Sequence, residues 1–122
     1  TKTRTTPHNA RIILQEAEID NPFILGITRA YATRHGAGPF PTENPTLEPW
    51  LPEEHNGKNI WQGTMRMGWL DLFLLHYATL QCEGVDGIAL THLDRWKNLP
   101  HKKIAYDYQN FPKENISKQT YR

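Results

Sequence analysis

Tyr31-Ala32-Thr33-Arg34-His35-Gly36-Ala37-Gly38-Pro39-Phe40-Pro41-Thr42-Glu43 is the stretch around which the rest of the chain is organised. It follows Phe23-Ile24-Leu25-Gly26-Ile27, an apolar run that reads as a buried strand. Glycines at 36 and 38 let backbone approach a ligand closely, and prolines at 39 and 41 fix the exit of the chain. Arg34 places a permanent positive charge beside them. The pattern predicts a polar ligand loop at the end of a strand; a tight surface loop is the other reading of the same residues.

Working outward, Thr5-Thr6-Pro7 predicts a helix start, with Thr6 as N-cap and Pro7 in the first helical position. Ile12, Ile13, Leu14, Ala17 and Ile19 carry an imperfect helical stripe, so a helix is predicted over 7–18, stopped by Asp20-Asn21-Pro22. The free N–H groups of its first turn, both threonine hydroxyls and Arg4 make an anion site, unless Thr6 only caps. Phe23 to Tyr31 is predicted as a central parallel strand, because it is apolar on both faces. Pro45, Pro49 and Pro52 predict a long irregular loop over 39–60. Ile60 to Met67 leads into a helix over Trp69–Gln81 that is apolar on most of its circumference and therefore buried between layers. His76 within it is read as a hydrogen-bonded core residue rather than a ligand. Gly84 ends that helix. A short buried strand over Gly87–Thr91, a turn or short helix over Leu93–Lys97, a strand over His101–Gln109 and a polar tail over 111–122 complete the chain. Strands separated by helical segments predict an α/β fold with a mainly parallel sheet and helices packed on it. Ligands of such sheets bind at the carboxyl ends of the strands.

Composition bounds the possibilities further. A chain of 122 residues holds one domain at most. Its net charge of +1 is spread without a basic stripe, which argues against nucleic acid as a partner. The six histidines show no metal-ligand spacing. The single Cys82 excludes an internal disulfide and fits a reducing, cytoplasmic compartment. No run has transmembrane length and no secretory signal is visible, so no membrane partner is expected. The chain opens at Thr1-Lys2 without Met, and residues 1–122 read as one partial domain of a longer protein.

The signature stretch resembles the Thr-Arg-x-Gly-Ala-Gly-Pro-Phe-Pro-Thr-Glu run of adenylosuccinate synthetases. Gly68-Trp69-Leu70-Asp71 and Thr91-His92-Leu93-Asp94 are similar to two further family features, in the family's order, and the resemblance covers roughly residues 3 to 109. It implies the later part of a P-loop-type catalytic domain that joins L-aspartate to C6 of a purine monophosphate, within purine nucleotide biosynthesis. A nucleoside triphosphate, usually GTP, first phosphorylates the 6-oxygen; the aspartate amine then displaces the phosphate. The family's phosphate loop, catalytic aspartate and catalytic histidine lie near its N-terminus, and no Gly-x-x-x-x-Gly-Lys-Ser/Thr pattern occurs here. The resemblance therefore implies that this stretch carries binding elements and no catalytic residue, that Mg²⁺ is held mainly elsewhere, and that the parent is a homodimer.

Residue by residue, the resemblance implies that Thr5, Thr6, Arg34, His35 and Gly36 contact the purine monophosphate, with His35 near the ribose and base. It assigns the L-aspartate clamp to Gly63, Thr64 and Arg66. Typical members carry Gly-Arg-Arg-Arg-Arg before Gly-Trp-Leu-Asp; this chain has Trp61-Gln62-Gly63-Thr64-Met65-Arg66-Met67, one residue shorter and with a single arginine. Arginine suits the task because its planar fork grips a carboxylate bidentately. His92 and Asp94 stand where Thr-Lys-Leu-Asp reads the guanine of GTP, and histidine in place of lysine leaves GTP and ATP both open. Without the family, Asp94 reads equally as a turn residue or helix cap. Leu51-Pro52-Glu53-Glu54-His55-Asn56-Gly57 with Trp61-Gln62-Gly63 and Arg66 resembles the branch that uses dGMP, or the archaeal type, so IMP and dGMP are both candidate substrates. A reading from another class remains: a non-catalytic nucleotide-binding or assembly module that kept the fold.

Overall fold

The computed structural model describes residues 5–53, 55–58, 60–61 and 63–109. Arg4 of the expected anion site and the expected tail over 111–122 lie outside the described residues. In chain order the elements are α1 (His8–Glu16), β1 (Leu25–Arg29), β2 (Tyr31–His35), a 3-10 helix (Pro45–Trp50), β3 (Met65–Asp71), α2 (Leu72–Gln81), β4 (Gly87–Thr91), α3 (Leu93–Trp96) and β5 (Ile104–Ala105). The fold is mixed α/β. β1 and β4 form a parallel pair; β2, β3 and β5 form a second sheet with β3 in the middle, antiparallel to β2 and parallel to β5.

The expected strand over Gly87–Thr91 and short helix after it agree with β4 and α3. Other boundaries differ, for local reasons. α1 begins at His8, with Pro7 in the cap position and no side-chain cap, so Thr6 does not cap it. Arg11 donates its N–H to the Pro7 carbonyl at 2.9 Å, which makes Pro7 the residue that opens the helical ladder. The strand expected over 23–31 stops at Arg29, and the signature stretch begins as β2 rather than as loop. Tyr31 and Thr33 suit a pleat, and they face Trp69 and Met67 across the antiparallel register. Nor is β1 central among the described residues: Leu25 and Ile27 on one face, and Ile88 and Leu90 on the other, are each at least 40% exposed. The expected strand over 101–109 shrinks to Ile104–Ala105.

The helix expected from Trp69 starts only after Asp71, because Met65–Asp71 is held between two strand neighbours. A continuous apolar run looks the same in a buried strand and a buried helix. Asp71 ends the strand and caps α2, its Oδ1 accepting the Leu74 N–H at 2.9 Å. α2 stops as expected near Gly84, where Glu83 and Gly84 both take positive φ. It is not buried between layers: none of its residues is buried, Leu74 is 47% exposed, and His76 is exposed rather than a core residue. Its sequence is apolar on most sides, yet among the described residues few elements lie over it.

The loop expected over 39–60 contains the 3-10 helix. Pro45 sits at its start, where a backbone N–H has no partner to lose, and the Asn44 side chain accepts the Thr46 N–H at 3.1 Å. This helix delivers Leu47 and Leu51 into the core, where they join Tyr31, Met67 and Leu99, flanked by Met65, Trp69 and Trp96. Its approach is fixed by residues 40–44, which lie as a strap across β3. Trp69 donates its N–H to the Thr42 carbonyl at 2.9 Å, and Asn44 donates to Met67 at 2.8 Å. Gly68 lies beneath the strap: a β-carbon there would stand 2.6 Å from the Thr42 carbonyl oxygen and 2.8 Å from the Phe40 ring.

Two outcomes follow from this packing. Gly68→Ala must push the strap off β3, and we expect a loss of about 1–3 kcal/mol in a denaturant melt, the usual range for overfilling a close contact. The second concerns the Tyr108 hydroxyl, which donates to Asp71 Oδ2 while the ring meets Phe73 edge-on. Burial, then the bond to Asp71, pushes the Tyr108 pKa up from 10.0 to about 12. The neutral phenol is the form the fold favours, so its contribution is complete below pH 10.0 and is lost as pH rises through about 12. Tyr108→Phe should cost about 1.5–3 kcal/mol in neutral solution, the range for a hydrogen bond to a charged group. In melts repeated at rising pH, that gap between wild type and variant should close between the two pH values.

Candidate functional site

The antiparallel pairing of β2 with β3 builds the first part of the site. Because paired residues of an antiparallel register share a face, Arg34 and Arg66 stand on one side of the sheet. His35 stands on the other, with Met65, in line with the core residues Tyr31 and Met67. Beyond His35 the chain turns through Gly36 and Gly38, both with positive φ, and Gly36 donates its N–H to the Thr64 carbonyl at 3.3 Å. Gly63, also at positive φ, lies so near that a β-carbon on it would touch the Gly36 α-carbon at 3.5 Å. Gly36, Gly38, Gly63, Thr64 and Arg66 thus line one open depression of about 410 Å³.

Arg66 is the hinge of that depression. Its Nε and Nη2 grip Glu43 bidentately at 2.7 and 2.5 Å, and Nη1 donates to the carbonyls of Gly36 and Gly38, each at 2.9 Å. Four of the five guanidinium N–H groups are therefore engaged by the loop itself. Arg34 likewise turns onto its own loop, with Nε and Nη2 on the Ala37 carbonyl at 3.2 and 2.9 Å. Hydrogen bonding to Arg66 holds the Glu43 carboxyl below its ordinary value and raises Arg66 above its own. His35 has both ring nitrogens buried and without a hydrogen-bond partner.

Thr5 and Thr6 do not join this depression. They line a separate cleft of about 400 Å³, against Thr28 of β1 and Ala78 and Thr79 of α2. His92 and Asp94 belong to a third place, the carboxyl ends of the parallel pair. There Thr28, Arg29, Tyr31, Thr33, Thr91 and His92 line a cleft of about 670 Å³. His92 adopts a left-handed backbone (φ 60°, ψ 29°), which turns the chain sharply out of β4 into α3. Its ring meets Tyr31 edge-on at 5.8 Å, and its Nδ1 lies 3.0 Å from the Thr91 hydroxyl. Asp94 is exposed in the first turn of α3, and among the described residues its carboxylate has no partner.

Sequence reasoning missed two carboxylates. Glu43 closed the signature stretch in plain view, yet its partner is 23 residues away. Glu53 lay in the expected irregular loop, in a run quoted only for its likeness to a branch of the family and given no role of its own. Its side chain is 10% exposed, and its carboxylate meets Arg29, Arg95 and Asn56 at 2.9, 3.3 and 2.8 Å. The Asn56 bond first, against the upward push of burial, and then the two arginines hold its pKa below the ordinary range. Among the described residues no group of three or more His, Cys, Asp or Glu is placed to hold a metal ion. Among them, too, no helix is long and apolar enough to cross a membrane.

If Arg66 organises the loop through Glu43, Glu43→Gln should speed amide hydrogen exchange at Gly36 and Glu43 while leaving β4 amides unchanged. The same loosening is expected in wild type as pH falls through the lowered pKa of Glu43, since the pairing is present above it and lost below it.

The chain can now be set beside known proteins. A family model described as adenylosuccinate synthetase matches residues 1–121. The chain is similar to the adenylosuccinate synthetase of Sorangium cellulosum, with 41% identity over 106 residues, 77% of this chain and 24% of that protein. It is 41% identical over 90 residues to the one of Thermus thermophilus, covering 70% of this chain and 21% of the relative. For Caldicellulosiruptor saccharolyticus the figures are 39% over 92 residues, 71% and 21%. The chain thus spans between a fifth and a quarter of the length of these relatives. With a family match over almost its whole length and relatives about 40% identical over most of it, the chain belongs to the adenylosuccinate synthetase family, a family of ligases.

Proposed function

We propose that the chain supplies the substrate-binding elements of a carbon–nitrogen ligase that joins L-aspartate to C6 of a purine monophosphate, IMP or dGMP, at the expense of GTP or ATP. The observation that carries this is the shared depression. Residues expected to meet the nucleotide (Gly36, beside Arg34) and residues expected to meet aspartate (Gly63, Thr64, Arg66) line one opening or its rim. A reaction that bonds two substrates needs them side by side, and the entropy gained by that placement is a large part of catalysis.

Arg66 is the natural carboxylate clamp. The Glu43 carboxylate it grips bidentately occupies the position an aspartate carboxylate would take in such a grip. Exchange of Glu43 for the substrate's carboxylate keeps the guanidinium paired throughout. His35, with two unpartnered ring nitrogens on the inner side of the same loop, has donor and acceptor capacity to spare for a sugar or base edge. Thr5 and Thr6, at the start of α1, offer hydroxyls to the monophosphate if that cleft is joined to the depression in the working enzyme. Asp94, exposed at the carboxyl ends of β1 and β4 and without a partner among the described residues, is the reader of the donor's base, with His92 beside it. A purine-monophosphate ligase of this kind works in the cytoplasm on soluble nucleotides, with Mg²⁺ held mainly by residues outside this chain, and as a homodimer.

The second reading, a nucleotide-binding module without turnover, is favoured by one observation: four of the five N–H groups of Arg66 are already engaged by its own loop. One experiment separates them. The full-length protein carrying this chain is assayed for succinyl-nucleotide formation with IMP or dGMP, L-aspartate, and GTP or ATP. Turnover is expected with one monophosphate and one donor; none with any combination leaves the binding module. In the same assay Asp94→Asn should weaken GTP relative to ATP by about tenfold, because the amide sets a donor against guanine's own donors. An unchanged GTP-to-ATP ratio would make Asp94 a turn residue only.

A further inference from the structure

We propose that Glu53 is a positioning residue for the donor nucleotide: by joining Arg29 to Arg95 it fixes where His92 and Asp94 stand relative to the carboxyl end of β1. This rests on the reading of His92 and Asp94 as the donor-base site.

The argument starts from α3. A four-residue helix has no stability of its own, so its orientation is imposed from outside. Trp96 and Leu99 seat it against the core, but apolar contact is non-directional and leaves rotation about that seat free. Arg95 supplies the direction. Its Nη1 donates to the Pro52 carbonyl at 2.5 Å and to Glu53 Oε1 at 3.3 Å. The same Oε1 accepts Arg29 Nη1 at 2.9 Å and lies 3.5 Å from the Tyr31 hydroxyl, while Oε2 accepts Asn56 Nδ2 at 2.8 Å. One carboxylate oxygen thus gathers the last residue of β1, the first of β2 and the helix that carries Asp94.

Tyr31 closes the arrangement. Its ring stands edge-on to His92 and beneath the Arg29 guanidinium, at 5.8 Å in each case. Arg29, Tyr31 and His92 line the cleft at the strand ends, and Glu53 is bonded to the first two and, through Arg95, to the helix that follows the third. A surface ion pair between mobile side chains does little of this kind. Glu53 is different because its side chain is nine-tenths buried and its bonds run to separate elements in different directions. Removing it leaves two guanidinium groups near one another without the anion between them, and α3 turns to separate them.

The test measures donor binding rather than turnover, so it does not depend on catalysis. In the full-length protein, Glu53→Gln and Arg95→Met are compared with wild type by calorimetric titration with GTP, ATP, and IMP or dGMP. Both variants should weaken the preferred donor about tenfold, as expected when a charge-assisted link is cut, and leave the monophosphate within about twofold. The double variant should be no weaker than the worse single one, because both cut the same link. Arg95 is one-third exposed, so its replacement spares the core if Glu53→Gln fails to fold. Unchanged donor affinity in folded Arg95→Met, or an equal loss for donor and monophosphate, overturns the proposal. If Asp94→Asn shifts the GTP-to-ATP ratio while Arg95→Met leaves donor affinity unmoved, only the positioning role fails. If Asp94→Asn shifts nothing, the donor-base reading fails and the role of Glu53 falls with it.

Discussion

The carbonyl of Thr42 accepting the N–H of Trp69 across the bare α-carbon of Gly68 is the contact on which the second sheet depends. Backbone can lie that close to a central strand only where no side chain intervenes. The strap so formed sets the start of the 3-10 helix, and the 3-10 helix sets Leu47 and Leu51. Leu51 is fully buried, and a side chain of its size contributes about 1.5–3 kcal/mol on leaving water. Two of the five residues of the core cluster therefore come from a segment with little regular structure. The same strap brings Glu43 under Arg66, so the geometry of the glycine loop and the packing of the core share one origin.

Legibility in the sequence followed the range of each interaction. β4 was plain because Gly87-Ile88-Ala89-Leu90-Thr91 is short, apolar and bounded by turn residues. The positions of the glycine loop and of the Asp94 turn were likewise readable, since glycine, proline and a helix-starting aspartate act within a few residues. The boundary between β3 and α2 was not, because Met65 to Gln81 is apolar in both and only pairing with β2 and β5 tells them apart. Glu53 was invisible for a different reason: Arg29 and Arg95 lie 24 and 42 residues from it, and charges that distant carry no pattern. The division of Arg34 and His35 between two faces follows from a strand where a loop was expected.

Periodicity also reports which surface is apolar without reporting what covers it. β1, β4 and α2 carry core-like residues that stand half-exposed here, in a chain whose match covers about a fifth to a quarter of its relatives. The reading of α2 as buried treated composition as if it were contact. Apolar residues at a surface are common, and only their neighbours decide whether they are core.

Ala30, the single residue between β1 and β2, is 1% exposed and donates its N–H to the Thr91 carbonyl at 2.9 Å. Its burial and that bond pin the corner between the two strands. The backbone from Arg29 to His35 is consequently a ruler laid between the cleft at the strand ends and the glycine loop. Six steps of extended chain at about 3.3 Å each set its upper limit near 20 Å. Two ligands held at its ends meet at a separation dictated by strand geometry rather than by the tolerance of a loop. Insertions that any surface loop would absorb have nowhere to go in this run.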